Sequence, residues 1–172
     1  MQQSISAIPL QLPPGTRLRL SSGKRNELVK CIVHEFCPRF TPGATPLYIG
    51  DTAKKWAYYE AKGFETLGVE LTPNDRLPDL IIHHREKNWL VLIDAVTSRK
   101  TVDAVRRSEL EFLFAASSAR PVFVLAFTNR AAMAYCLEDI ASGSDVWVAW
   151  AADEPSHLIE FNDTRLLGPY NS

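Results

Sequence analysis

The sequence predicts an α/β chain in which helices flank a mixed central sheet. Three observations carry this. The apolar runs 80–82 and 89–93, joined by the polar stretch 83–88, read as a hairpin. A further run over 121–127 is almost unbroken in apolar character, as a strand buried on both faces is. Between these lie stretches whose apolar residues recur at helical spacing, so helices alternate with buried strands.

Taken in order, residues 1–20 read as an extended lead-in, with a turn at Pro13-Pro14-Gly15 and a short alternating piece over 16–20. Ser21 or Ser22 caps a helix running to about Arg39, in which Leu28, Ile32 and Phe36 recur every fourth residue. Pro38 and Pro42-Gly43 close that helix, because proline lacks the donor a helix interior needs. Residues 47–49 form a short strand, and Gly50-Asp51-Thr52 opens a helix over 53–64. The turn cluster TPNDR (72–76) leads into the hairpin. Residues 102–116 follow as a helix, with Asp103 and Arg107 spaced i,i+4 and an apolar side of Val105, Leu110, Leu113 and Phe114. After the strand over 121–127 comes a helix over 130–140. Two strands, 145–150 and 157–161, close the chain, with Trp147, Trp150, His157 and Phe161 as sheet core.

A chain of 172 residues suffices for one cored domain and is short for two, so 1–172 is expected to be a single unit. Apolar residues at 46% and charged residues at 23% are ordinary globular composition. No apolar run approaches the roughly 20 residues that cross a bilayer, so no membrane partner is expected. The start shows no basic n-region followed by an apolar stretch, and three unevenly spaced cysteines argue against a disulfide framework; a cytoplasmic setting is expected. Net charge is −1, so contact with nucleic acid would depend on local groups, such as Arg17, Arg19, Lys24 and Arg25 or Arg99, Lys100, Arg106 and Arg107.

The chemistry concentrates at the open end of the predicted hairpin. Asp79 precedes the first strand and Asp94 ends the second, so antiparallel pairing brings the two carboxylates together. Facing carboxylates repel, and a divalent cation is the usual reason to place them so. Mg²⁺ suits one or two carboxylates completed by water and phosphate oxygens, and Mn²⁺ is its substitute. This is the outline of a metal-dependent phosphodiesterase site. Asp79 also reads as a strand-start aspartate, and Asp94 as the partner of a neighbouring arginine. His83 and His84 read as plain strand-end residues with no nucleophile to serve.

Four blocks, LYIGDTAKKW (47–56), LPDLII (77–82), NWLVLIDAVTS (88–98) and HLIEFNDTRLLGPY (157–170), resemble the signature blocks of the BsuBI/PstI restriction endonuclease family, in the family's order. SSGKRNELVKCIVHEF and VFVLAFTNR fit between them, so the resemblance covers 12–170. It implies a restriction-endonuclease-like PD-(D/E)XK core: a mixed central sheet flanked by helices, with Mg²⁺ on the hairpin and double-stranded DNA, cut at short palindromes, as substrate. It further implies a homodimer on such palindromes, and a separate DNA-reading domain or methyltransferase as partner. The family's reading domain ahead of this core is not found in 1–172.

On this resemblance Asp79 is the acidic residue of the PD motif, and Asp94 is the second ligand, with the Ala95 carbonyl as an added one. The superfamily's lysine position, two after Asp94, holds Val96. Lys55 in GDTAKKW is the substitute, with Lys100 as runner-up. Asp51 is a third carboxylate or a helix cap. Glu27, with Glu35, sits where related nucleases keep an acidic ligand on the first helix. Arg107 and Glu109 match an RxEL-like stretch, where Arg107 meets a phosphate or pairs internally. Ser98 and Lys100 lie in a loop near DNA, where Arg99-Lys100 replaces the family's Gly-Pro. An alternative reading of another class stays open: a catalytically impaired, nuclease-like DNA-binding or assembly module of a defence system.

Overall fold

The hairpin predicted at the centre of the chain is the axis of a seven-stranded sheet. A computed structural model describes residues 7–12, 15–53, 56–97, 103–141, 143–150 and 157–160. Strands β1 (Ile8–Leu12) and β2 (Thr16–Leu20) pair antiparallel as a separate ribbon. The main sheet has the order β4-β3-β5-β6-β7-β8-β9. It comprises β3 (Thr45–Ile49), β4 (Tyr58–Tyr59), β5 (Leu80–His84), β6 (Trp89–Ala95), β7 (Arg120–Asn129), β8 (Asp145–Trp150) and β9 (His157–Glu160). β4, β3, β5 and β6 pair antiparallel, β6, β7 and β8 pair parallel, and β9 returns antiparallel on β8. This is the mixed sheet expected, and β6 is the strand at which antiparallel pairing gives way to parallel.

Alternation along β5 and β6 assigns the two faces. Leu80, Ile82, Val91, Ile93 and Ala95 face one core with Val29, Ile32, Phe36 and Trp147. Ile81, Leu90 and Leu92 face the other with Tyr48, Phe64, Leu110 and Phe114. The first core lies under α1 (Lys24–Cys31), which passes through a π-helical turn (Ile32–Phe36) into α2 (Cys37–Phe40). Phe36 meets Trp147 edge-on, with ring centroids 5.6 Å apart. The second core lies under α3 (Ala61–Leu67) and α4 (Ala104–Leu113). Helix α5 (Arg130–Cys136), extended by a 3₁₀ turn (Leu137–Asp139), joins β7 to β8.

Several sequence expectations are corrected. The first helix has Gly23 at its N-cap with no side-chain cap; Ser21 instead turns to Asp51. Pro38 does not end the helix. The π turn, closed by the Cys37 amide on the Ile32 carbonyl, shifts the bonding pattern just before the missing donor. The helix expected over 53–64 is replaced by β4, which pairs with β3, and by a helix starting only at Ala61 and capped by Glu60. The pair of adjacent tyrosines favours strand, and Thr52-Ala53 form a bend. In α4, the Asp103 side chain caps the helix through the Arg106 amide, and the Arg107 guanidinium turns to Glu111. Val105, expected on the apolar side, is 67% exposed. Trp147 is buried, whereas Phe161 lies outside the described residues.

Gly63 on α3 sits against Leu47 so closely that an added Cβ would run into the Leu47 side chain, itself fully buried. Overpacking such a contact costs about 1–3 kcal/mol, against roughly 1 kcal/mol gained from replacing a helical glycine by alanine. Gly63→Ala is therefore expected to lower stability by about 1 kcal/mol, which at this size is a fall of about 2–4 °C in the thermal midpoint. Scanning calorimetry of the two proteins measures it.

Candidate active site

Register makes the site. β5 and β6 pair with Leu80 opposite Ile93, and one further step places Asp79 opposite Asp94. Directly opposed residues point to the same face, with Cβ atoms about 4.5–5.5 Å apart. The contact is reciprocal: the Ala95 amide donates to Asp79 Oδ2 at 2.8 Å, and the Asp79 amide bonds the Asp94 carboxylate. The next amide, Val96 N–H, points the other way and donates to the Ala126 carbonyl at 2.8 Å. In a trans peptide the C=O opposes the N–H, so the Ala95 carbonyl is turned toward Asp79. Two carboxylates and one carbonyl thus face a common side.

Asp79 and Asp94 line a cavity of about 560 Å³ with Arg25, Tyr48, Asp51, Asp75, Arg76 and Arg106. Arg106 binds Asp94 along both edges, with Nε 3.4 Å from Oδ2 and Nη2 3.5 Å from Oδ1, and Nη1 donates to the Arg76 carbonyl at 2.8 Å. Both side chains are buried, at 7% and 6% exposed. Arg25 reaches Asp79 at 3.8 Å from the rim, where it is 39% exposed. Burial pushes the Asp79 carboxyl up to about 6, and the Asp94 charge adds to that, against the Ala95 amide and Arg25. Burial also raises Asp94, while Arg106 pulls it back. The Tyr48 hydroxyl is pushed up to about 12 by burial and by Asp79, so it stays neutral beside the pair.

Asp51 lies on the same wall but is turned to other work. Its carboxylate accepts from the Ser21 amide (2.9 Å) and hydroxyl (3.2 Å), Asn26 Nδ2 (2.9 Å) and the Ala53 amide (3.1 Å). Burial alone would raise it, but these bonds together hold it below the usual carboxylate range. It clasps the end of β2 and the start of α1 to the end of β3. Glu27 is exposed on α1 and is not among the residues lining the cavity; Glu35 is exposed a further two turns on. Arg107 pairs internally: its guanidinium lies 3.8 Å over the Phe123 ring, with Nε 3.3 Å from Glu111 and Nη1 donating to Ser144 at 3.3 Å. Val96 is buried among Leu125, Phe127 and Val148. Lys55, Ser98 and Lys100 lie outside the described residues. His83 and His84 sit at the opposite end of the hairpin, His83 bonded to Asn88.

Sequence reasoning names Arg25 and Arg106 only as local basic groups, not as partners of the aspartates, and misses Tyr48. The signal for Arg106 was present, since it precedes the buried Leu110 by four residues and so shares its face. Among the described residues no group of three or more His, Cys, Asp or Glu converges as a metal cluster. What converges is two carboxylates, one carbonyl and flanking guanidinium groups. This donor set suits a hard cation that keeps most of its shell for water and phosphate.

Residues 8–164 match the BsuBI/PstI restriction endonuclease domain. The chain is 44% identical over 163 residues to the type II restriction enzyme BsuBI of Bacillus subtilis, covering 95% of this chain and 51% of that one. It is 24% identical over 156 residues to the type II restriction enzyme AplI of Arthrospira platensis, covering 86% and 47%. Its structure superposes on that of SdaI restriction endonuclease with a TM-score of 0.84 at 44% identity, over 96% of this chain and 51% of SdaI. The chain thus spans about half the length of the relatives it matches.

Two outcomes follow for the metal-free protein. Because the folded Asp79 pKa lies above its unfolded value, ionising it in the fold is penalised. Stability is highest below pH 4 on this account and falls as pH rises through about 6. Melting in EDTA is expected to be higher at pH 5 than at pH 7.5, with Asp79→Asn flattening the difference. Arg106→Met leaves Asp94 buried without its cation and is expected to cost about 3–5 kcal/mol at pH 7.5. The cost shrinks at pH 5, where Asp94 can take up a proton, and denaturant titration at both pH values reads it.

Proposed function

Because the chain belongs to the BsuBI/PstI restriction endonuclease domain family, we propose that it is a divalent-metal-dependent endonuclease module that hydrolyses phosphodiester bonds of double-stranded DNA. The observation that carries this is the opposition of Asp79 and Asp94 at the open end of β5 and β6, with the Ala95 carbonyl turned to the same side. Asp79, Asp94 and Ala95 would hold Mg²⁺, with Mn²⁺ as substitute, and when bound it would supply Lewis-acid charge at the phosphodiester and at the attacking water. Arg106 fixes the orientation of Asp94 from behind. Arg25, exposed at the rim, meets a non-bridging phosphate oxygen and neutralises charge as it develops. Lys55, or Lys100 in its place, supplies the amine that the superfamily keeps at the position of Val96. Glu27 is dropped from the ligand set, and Asp51 is assigned to positioning the wall of the cavity.

A palindromic target calls for a twofold pair of these chains, since a symmetric site mirrors a symmetric protein. Cys31, Cys37 and Cys136 are free thiols, which fits a reducing cytoplasm. No helix among the described residues is long and apolar enough to cross a membrane. A second reading, a DNA-binding module that does not cut, is favoured by one observation, the buried apolar Val96 at the lysine position.

Supercoiled plasmid incubated with the chain in Mg²⁺, Mn²⁺ or EDTA separates the two readings. Metal-dependent nicking or linearisation is expected, reduced at least about 100-fold by Asp79→Ala/Asp94→Ala. That figure extrapolates from the roughly 10–100-fold losses seen when mere outer-shell supports of a metal are removed. A folded wild type that leaves plasmid intact in every metal gives the site to the non-cutting reading.

A further inference from the structure

The basic residues of the first thirty-five positions are not absorbed by the cavity, apart from Arg25. The fold gathers four others, Arg17, Arg19, Lys30 and His34, into a separate groove of about 550 Å³ between the β1–β2 ribbon and α1, with Pro9, Leu10, Gln11 and Leu18 as its floor and sides. No carboxylate lines this groove, whereas the cavity holds Asp51, Asp75, Asp79 and Asp94. Arg17 and Arg19 stand on the exposed face of β2, while Leu18 and Leu20 turn inward. Lys30 and His34 are one helical turn apart, and the ribbon is tied to this face by the Gln11 amide on His34 Nε2 at 3.4 Å.

The chain itself links the groove to the cavity wall. β2 runs directly into Ser21, whose amide and hydroxyl bond Asp51 on the cavity wall. At about 3.4 Å per strand residue, Arg19 and Arg17 lie roughly 7 Å and 13 Å back from that joint. On the helix, Arg25 stands at the cavity rim, and Lys30 and His34 lie roughly 7 Å and 13 Å further along at 1.5 Å per residue. The basic side chains therefore form two ranks leading away from the carboxylate pair, over a length of about four base-pair steps measured along a duplex axis. Its charged lining groups are all basic and it holds no aromatic side chain, a composition suited to a polyanion.

From this we infer that the groove between the β1–β2 ribbon and α1 is a phosphate track, binding the backbone of the duplex that flanks the phosphodiester in the cavity, through Arg17, Arg19 and Lys30 with His34 as a further donor. The inference rests on the nuclease reading for its ligand and is tested apart from cleavage. The duplex is held by charge, without base contacts, so the track contributes affinity and direction of approach but no sequence preference.

The test uses a fluorescein-labelled 24-base-pair duplex of arbitrary sequence, in EDTA so that nothing is cut, with anisotropy followed across a salt series. Arg17→Ala/Arg19→Ala/Lys30→Ala is expected to bind at least tenfold more weakly at low salt. Its slope of log affinity against log salt is expected to be shallower by about 2–3, at roughly 0.9 per phosphate contact. Arg17→Lys/Arg19→Lys/Lys30→Arg is expected to keep most of the affinity. A control with the same charge removed elsewhere, Lys62→Ala/Arg120→Ala/Arg130→Ala, is expected to change it less than twofold. Unchanged affinity and slope in the first variant overturn the track, as does an equal loss in the control. Displacement of the duplex by polyglutamate as readily as by unlabelled duplex also overturns it, in favour of an acidic protein ligand. Groove-dependent binding without metal-dependent plasmid cutting keeps the track and drops the nuclease reading. Plasmid cutting by a groove variant that binds as wild type does drops the track alone.

Discussion

The opposition of two aspartates across one register step of an antiparallel pair is the constraint around which this molecule is arranged. β5 and β6 are buried on both faces, so a slip of one residue would drive apolar side chains to the wrong core and separate Asp79 from Asp94. Core packing thereby fixes the spacing of the carboxylates. The repulsion so created is answered from two directions: Arg106 from α4 on Asp94, and Arg25 from α1 on Asp79. Each helix reaches the pair from its own side of the sheet, so the charge pattern ties both layers to the same point.

The two arginines do different things. Arg106 is locked by Asp94, the Arg76 carbonyl and the neighbouring Glu109, and it has almost no contact with solvent. Such a residue fixes geometry. Among the described residues Arg25 is held by one long contact, at the rim, where an incoming anion can take it over. Asp51 completes the frame by using nearly all of its accepting capacity on Ser21, Asn26 and Ala53. This joins the connection between β2 and α1 to the end of β3, 30 residues on from Ser21.

Much of this was legible in the sequence where the signal was local. The hairpin, the buried strand after α4 and the two aspartates could be read from apolar runs and the residues that bound them. What could not be read depended on pairing partners elsewhere in the chain. Tyr58 and Tyr59 are a strand only because β3 lies beside them, so a helix was the expectation there. Ser21 looked like a cap because its partner Asp51, thirty residues away, gives no local sign. The RxEL-like stretch points to Arg107, but which of two adjacent arginines turns inward depends on the phase of their helix, set by the Asp103 cap and the burial of Leu110. The lysine question stays with Lys55 and Lys100, which lie outside the described residues.

The turn at the other end of the hairpin, Arg85 to Asn88, bears on how this fold could be rebuilt. Asn88 takes a left-handed conformation there (φ 54°), and its side chain holds His83 and the Ser118 carbonyl, so the turn is closed by its own bonds. Arg85, Glu86 and Lys87 are exposed, and the aspartates lie a whole strand away, some 20 Å at about 3.4 Å per residue. Exposed polar tips of this kind are where chains accept inserted domains. A sequence-reading module grafted between Glu86 and Lys87 would hang from the same two strands that carry the carboxylates, yet leave their register to the cores on either side.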